Sequence, residues 1–202
     1  MASTLYIAST NPGKLRDFRL AASRHGIEIL PLPGLNHIEA PAEDGLTFAD
    51  NASEKAIYYS RFLPGEMVLA DDSGLEVDFL QGAPGVRSAR FAADAGFREA
   101  NTPDASNNLF LLQQLGGVAD RERGARYRCA LAVAQDGVPL MVAEGVAEGR
   151  ILTAPQGSSG FGYDPLFYVT ALDRTMAEID DQARWTHSHR GQAFRALLEV
   201  LV

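Results

Sequence analysis

Apolar and polar positions along this chain switch between a period of two and a period near 3.6, and the switches mark its elements. Thr4-Leu5-Tyr6-Ile7-Ala8 has the length and composition of a strand. It runs into Ser9-Thr10-Asn11-Pro12-Gly13-Lys14, after which Leu15, Phe18, Ala21 and Ala22 recur at helical spacing. Asn11 suits the cap of that helix and Pro12 its first position. Glu28-Ile29-Leu30-Pro31 predicts a short second strand. Thr47-Phe48-Ala49-Asp50 has capping-box spacing and opens a helix to Phe62, with Ala52, Ala56, Tyr59 and Phe62 as its apolar stripe. Met67-Val68-Leu69-Ala70 is an apolar run ending in Asp71-Asp72 and a Ser73-Gly74 turn, and Leu75 to Leu80 then alternates as a separate strand.

Farther along, Thr102-Pro103 heads a helix bearing Ala105, Leu109, Phe110 and Leu112. Arg126 to Ala134 and Val138 to Ala147 alternate on either side of Asp136-Gly137, which predicts a hairpin. Thr175-Met176-Ala177-Glu178 repeats the capping-box spacing before a short helix. Ser188-His189-Arg190-Gly191 stands at the head of a last helix with Ala193, Phe194, Leu197, Leu198 and Leu201 apolar. Neither an internal repeat nor a linker interrupts this series, so residues 1–202 read as a single domain.

Composition narrows the class. An apolar share of 46% and a charged share of 22% are those of a soluble globular chain. No apolar run approaches the length of a membrane span, and the N-terminal residues lack the basic region of a signal peptide. The single cysteine, Cys129, excludes an internal disulfide and fits a reducing cytoplasm. A net charge of −8 argues against nucleic acid as a partner but leaves room for a small anionic ligand. Of eighteen basic residues only two are lysines, Lys14 and Lys55, and both fall in segments that read as ligand loops or helix starts.

Four stretches carry candidate chemistry. Asp71 and Asp72 follow one another on a strand, so they point to opposite faces, one toward a ligand and the other toward a helix or loop. Two carboxylates 4 Å apart repel by roughly 4 kcal/mol, so such a pair needs a cation, a shared proton or solvent. Residues 9–14 form a strand–turn–helix start with a lysine. Backbone N–H groups, helix dipole and ammonium would converge there on an anion, although the Walker spacing is absent. Gln156 to Pro165 is glycine-rich and carries Phe161, Tyr163 and Asp164, a frame suited to a planar ligand. His189 and Arg190 sit at the positive end of their own helix, a local conflict of the kind that function produces. A solvated acidic turn, a plain helix cap and a surface loop would use the same residues.

Six stretches in order carry a resemblance. These are Ser9 to Lys14; Glu43-Asp44-Gly45-Leu46-Thr47-Phe48 with Asn51 and Lys55; Ala70 to Leu75; Gly82-Ala83-Pro84-Gly85 with Ser88-Ala89-Arg90; Gly160 to Pro165; and Ser188 to Gly191. Together they resemble the inosine triphosphate pyrophosphatase family, the house-cleaning dITP/XTP pyrophosphatases, over residues 4–201. The resemblance implies an α/β fold, an elongated mixed β-sheet with flanking helices forming two lobes around a central cleft, and a homodimer. It implies a Mg²⁺-dependent enzyme that splits non-standard purine nucleoside triphosphates into monophosphate and pyrophosphate. Carried onto matching positions, Ser9, Thr10, Asn11, Pro12, Gly13 and Lys14 would hold the triphosphate. Glu43 and Asp72 would bind Mg²⁺, with Asp72 also the base. Lys55 would position phosphate or acid, and Ser73 would touch the substrate. Phe161, Gly162, Tyr163, Asp164, His189 and Arg190 would hold the purine.

The residue types suit that chemistry. Mg²⁺ takes one or two carboxylates plus substrate phosphates, which fits Glu43 with Asp72. Donors from His189 and Arg190 match a 6-keto oxygen and disfavour the amino group of adenine, though guanine shares the keto group. Arg184 stands where the family carries lysine, which changes that nucleotide contact. Trp185 can either cover a base or pack into the core. Two alternatives use the same residues: a phosphatase with an aspartate nucleophile, and a nucleotide-binding regulatory module without turnover.

Overall fold

The structure, a computed structural model, describes residues 3–23 and 25–201. It contains strands β1 (Ser3–Ile7), β2 (Ile27–Pro31), β3 (Met67–Val77), β4 (Gly124–Gln135), β5 (Val138–Ile151), β6 (Phe167–Val169) and β7 (Arg174–Thr175). The helices are α1 (Pro12–Ser23), α2 (Phe48–Ser60), α3 (Phe91–Asp94), α4 (Pro103–Gln114), α5 (Asp181–His187) and α6 (His189–Leu201). Strand order is β2-β1-β3-β4-β5-β6-β7. β1 pairs in parallel with β2 and β3, whereas β6 pairs antiparallel with β5 and β7, so the sheet is mixed. The chain divides into two compact units, residues 1–72, 129–145 and 185–202 in one, 73–128 and 146–184 in the other. β3, β4 and β5 contribute residues to both.

Within the first unit, the alternation of β3 assigns its residues to two layers. Leu69 joins Leu5, Ile7, Phe18, Cys129, Leu131, Phe194 and Leu197 in a core beneath α1 and α6. Val68 faces the opposite way, with Leu32 and with Tyr59 of α2. Phe18 and Phe194 meet at 5.6 Å between ring centroids. α6 crosses β5 closely at Gly145, where any Cβ would collide with the carbonyl of His189 and the amide of Ala193. The β4–β5 hairpin turns through Asp136 (φ 54°) and Gly137 (φ 79°), two left-handed residues matching the strands' twist. In the second unit Leu75, Val77, Leu111, Tyr127, Ile151, Phe167 and Met176 form a separate core.

Most caps fall where their sequence spacing puts them. Asn11 Oδ1 accepts from the amides of Gly13 and Lys14, Thr47 from Asp50, Thr102 from Ala105 and Ser188 from Gly191. Three expectations fail. Ser73-Gly74 is no turn: β3 runs unbroken to Val77, because Leu75 and Val77 both bury completely and Gly74 takes no left-handed conformation. Thr175 to Glu178 starts no helix. The Glu178 carboxylate does accept from the Thr175 amide at 2.8 Å, but Thr175 is held in β7, and α5 starts later, capped by Asp180 on Ala183. Phe62 lies past the end of α2 and is 49% exposed, so the apolar stripe stops at Tyr59.

The Phe18–Phe194 contact ties α1 to α6 in the layer that carries Asp71. Phe194→Ala should lower unfolding free energy by about 3–5 kcal/mol. Urea denaturation reads this as a lower midpoint with an unchanged slope.

Candidate active site

Parallel strands β1 and β3 place a crevice at their carboxyl ends. The chain leaves β1 in one direction along the sheet, toward β2, and β3 lies on its other side, so this is a topological switch point. Among the described residues β1 pairs with β3 through Tyr6–Val68 and Ile7–Leu69. Asp71 and Asp72 therefore stand just past the end of β1, beside the loop into α1. They lie at the shoulder of the sheet, inside a longer strand rather than at its tip.

Strand alternation sends the two acids to different partners. Asp71 shares the Leu69 face and meets Lys14, with Nζ 2.7 Å from Oδ2 and the carboxylate side chain only 2% exposed. Asp72 shares the Val68 face and meets α2. Lys55 Nζ lies 3.1 Å from its Oδ1, and Asn51 Nδ2 donates to its Oδ2 at 3.1 Å. Asn51 and Lys55 are one helical turn apart, so both reach the same carboxylate. Lys55 also lies 3.2 Å from Glu43 Oε1, which brings the loop before α2 into the cluster.

The charges are balanced unequally. Burial pushes the Asp71 carboxyl up, but the cationic charges of Lys14, Arg190 and Lys55 outweigh it and hold Asp71 below the usual carboxylate range. Burial also pushes Asp72 up, and here it prevails over Lys55 and Asn51, with Glu43 adding repulsion. Burial alone would lower Lys55, yet Asp72, Asp71 and Glu43 raise it above the ordinary lysine value. Lys55 is thus an ammonium at neutral pH and cannot serve as a base. The two adjacent carboxyls are thus driven in opposite directions, Asp71 down and Asp72 up. The influence of Arg190 on Asp71 also resolves the dipole conflict at the head of α6, because the cation answers a buried carboxylate.

Glu43, Lys55, Asp72 and Lys14 do come together. Their arrangement changes one expectation: the phosphate loop is no open cradle. Asn11 Oδ1 occupies the amides of Gly13 and Lys14, Ser9 Oγ accepts from the Asn11 amide at 3.3 Å, and Lys14 is paired with Asp71. Ser9 and Thr10 also line a cavity of about 390 Å³, together with Leu15, Leu32, Asn36 and His37.

Whether Mg²⁺ fits is decided by the donor set. Glu43 and Asp72 aim one oxygen each at a single cation, the Lys55 ammonium, so a positive charge already sits between them. Hard carboxylate oxygens suit Mg²⁺. Among the described residues no group of three or more His, Cys, Asp or Glu could hold a metal. Two protein oxygens completed by water and phosphate is the coordination Mg²⁺ tolerates.

The remaining candidates belong to the second unit or to α6. Ser73 is half-buried in β3. Phe161 and Gly162 lie in a loop that is clasped from outside. Gly162 donates to Asp104 Oδ2 at 2.8 Å and accepts from Asn108 Nδ2 at 2.9 Å. Asp164 and Arg184 face each other at 2.9 Å, and Asp164 also receives the Tyr127 hydroxyl and the Phe161 amide. Arg184 adds the Met176 carbonyl. Tyr163 is 4% exposed, and its hydroxyl donates to the Ser88 carbonyl. Tyr163, Asp164 and Arg184 thus frame the loop with the groups expected to contact purine. His189 is buried. Trp185 packs edge-on against Phe194 at 5.9 Å, with the Arg195 guanidinium over its ring. Sequence reading gave no role to Asp71 in pairing Lys14, nor to Asn51, Asp104 or Asn108. Of these, Asp71 had a signal in the acidic pair on its strand, and Asn51 in its helical spacing to Lys55.

Fold and site together define an α/β protein with a lysine–carboxylate cluster at a sheet switch point, the equipment of a polyphosphate-handling protein. The chain belongs to the Ham1 family, whose profile matches residues 5–200. It is 58% identical to the dITP/XTP pyrophosphatase of Acidobacterium capsulatum, over 100% of this chain and 99% of that protein. With the dITP/XTP pyrophosphatase of Desulforamulus reducens it shares 44% identity, covering 98% and 94%. The Ham1 protein of Staphylococcus aureus superposes with a TM-score of 0.82 at 35% identity, and that of Coxiella burnetii with 0.83 at 37%, each covering 98% of both chains.

The Lys14–Asp71 pair yields a pH-dependent stability. Asp71 is held below its unfolded value of about 3.9. Its contribution is therefore complete above that value and is lost as pH falls through the lower, folded one. Asp71→Asn should cost about 1–3 kcal/mol at pH 7, less than for a fully buried pair because Lys14 is partly solvated. Denaturant unfolding at pH 7 and pH 3 should show the gap to wild type narrowing at pH 3. An equal gap at both would remove the assignment.

Proposed function

We propose that this chain is a nucleoside-triphosphate pyrophosphatase that removes dITP, ITP and XTP from the nucleotide pool, releasing the monophosphate and pyrophosphate. The observation that carries this reading is the Lys14–Asp71 and Lys55–Glu43–Asp72 cluster at the switch point. Relatives 58% and 44% identical bear the name dITP/XTP pyrophosphatase. A water oxygen bonds to the α-phosphorus, the bridging bond to the β-phosphate breaks with its electron pair leaving on pyrophosphate, and Asp72 takes the water proton. Raising Asp72 toward neutrality makes it a stronger base than an ordinary aspartate.

Positive charge does the rest. Lys14 and Lys55 exchange their carboxylate partners for phosphate oxygens, and the helix end at residues 12–14 adds its dipole. Glu43 and Asp72 would hold Mg²⁺, which when bound neutralises the polyphosphate and favours departure of pyrophosphate. Phe161 would offer a stacking face to the purine, while Asp164 and Arg184 keep its loop in place. An aspartate-nucleophile phosphatase would instead release orthophosphate through a phospho-enzyme, and the relatives 58% and 44% identical bear the name of pyrophosphatases.

A homodimer accords with one exposed face of β5, where Val138, Leu140 and Val142 alternate outward at 57%, 46% and 46% exposure. Among the described residues no helix is long and apolar enough to cross a membrane. The buried single thiol of Cys129 suits a reducing cytoplasm.

A panel of dITP, ITP, XTP, GTP and dATP with Mg²⁺, scored for pyrophosphate against orthophosphate, tests the activity. Pyrophosphate alone should appear, with dITP preferred to dATP by on the order of 10²-fold or more; orthophosphate as the product would refute the reading. Asp72→Asn should reduce kcat by on the order of 10²–10⁴-fold while nucleotide still binds. Leu140→Glu should shift the solution mass, by light scattering, from two chains to one; an unchanged mass would place the interface elsewhere.

A further inference from the structure

Asn51 carries no charge, yet it sits at the centre of the acidic cluster. It is 1% exposed, lies one turn before Lys55 on α2, and has both ends of its amide engaged. Its Oδ1 accepts from the Gly45 amide at 2.8 Å and its Nδ2 donates to Asp72 Oδ2 at 3.1 Å. Gly45 stands two residues after Glu43, so this one side chain grips both the loop that carries one acid and the carboxylate of the other. Lys55 closes the circuit between Glu43 Oε1 and Asp72 Oδ1. The amide orientation follows from its neighbours: turned over, it would set a carbonyl against a carboxylate and an N–H against an N–H. Gly45 has no room for a side chain, since a Cβ there would lie 2.6 Å from Asn51 Oδ1 and 2.8 Å from the Asp50 Cβ. Loop and amide are therefore fitted to each other.

We infer that Asn51 is a positioning residue for the divalent ion, setting the spacing of Glu43 and Asp72 so that both oxygens meet one cation without rearrangement. This rests on the reading that those two acids hold Mg²⁺. Mg²⁺ demands near-ideal octahedral geometry at about 2.0–2.1 Å, so the spacing of its two protein oxygens is a tight constraint. Aspartate at position 51 could not donate to Asp72 and would add a like charge. Alanine would release both the loop and the carboxylate.

The test is calorimetric titration of Mg²⁺ into the full chain saturated with α,β-methylene-ITP, for wild type, Asn51→Ala and Gly45→Ala. Both variants should bind Mg²⁺ about 10- to 100-fold more weakly. Affinity for the analogue without metal should stay as in wild type, and turnover should recover at saturating Mg²⁺. A purely structural role would weaken metal-free nucleotide binding as much as Mg²⁺ binding, and that result overturns the inference, as does unchanged Mg²⁺ affinity in either variant. Should Asn51→Ala fail to fold, Gly45→Ala carries the test alone, because its backbone is outside the left-handed region. Wild type that binds no Mg²⁺ would sink the two-acid reading itself, whereas a normal wild type with unaffected variants would sink only the role of Asn51.

Discussion

The site depends on one geometric constraint, the alternation of side chains along β3. Two consecutive aspartates are carried into a largely dry region, where equivalent positions would repel strongly. An extended strand turns them to opposite faces, and each face brings its own cation, Lys14 on α1 for Asp71 and Lys55 on α2 for Asp72. Were the strand to slip by one residue, each acid would face the other's helix and both pairings would be lost. The packing of Leu69 against α1 and α6, and of Val68 against α2, prevents that slip.

Unequal pairing then separates the roles of two chemically identical groups. Asp71 is surrounded by Lys14, Arg190 and Lys55 and stays ionised, a fixed negative charge that seats the phosphate-loop lysine. Asp72 has a single lysine, a neutral amide and the adjacent Glu43, and burial prevails. The absence of lysine elsewhere in the chain follows the same logic. Both lysines of the chain are engaged with these acids, and the remaining basic groups are guanidiniums. A compact ammonium can sit between two carboxylates and later exchange them for phosphate, which a wide planar fork does less readily.

In the second unit the same logic serves a loop. The glycine-rich segment from Gly157 to Gly162 has left-handed turns at Gly157, Gly160 and Gly162, and a Cβ at Gly160 would collide with the Asp164 carboxylate. Asp164, Arg184, Tyr127, Asp104 and Asn108 tie it at several points. The segment from Gly82 to Arg90 belongs to this frame. Ser88 accepts from the Leu75 amide through its hydroxyl and from Tyr163 through its carbonyl. Its distinctive sequence is explained by holding the loop, with no contact to a reacting atom needed.

Local rules made the caps at Asn11, Thr47, Thr102 and Ser188, the hairpin at Asp136-Gly137 and the acidic pair on a strand legible in the sequence. Each depends on residues within a few positions of one another. The spacing of six motifs also named the right family, since motif order survives without coordinates. Long-range outcomes were decided only by the tertiary structure. β3 continues through Ser73-Gly74 because burial of Leu75 and Val77 outweighs a local turn preference. Lys14 joins Asp71, not a vacant phosphate, because the fold delivers a buried carboxylate there. Asn51 became visible as the link between Gly45 and Asp72 because a hydrogen bond across 21 residues leaves no trace in local pattern. Sequence determined which groups were available, and packing determined which of them meet, because contact depends on the whole chain's burial and not on spacing along it.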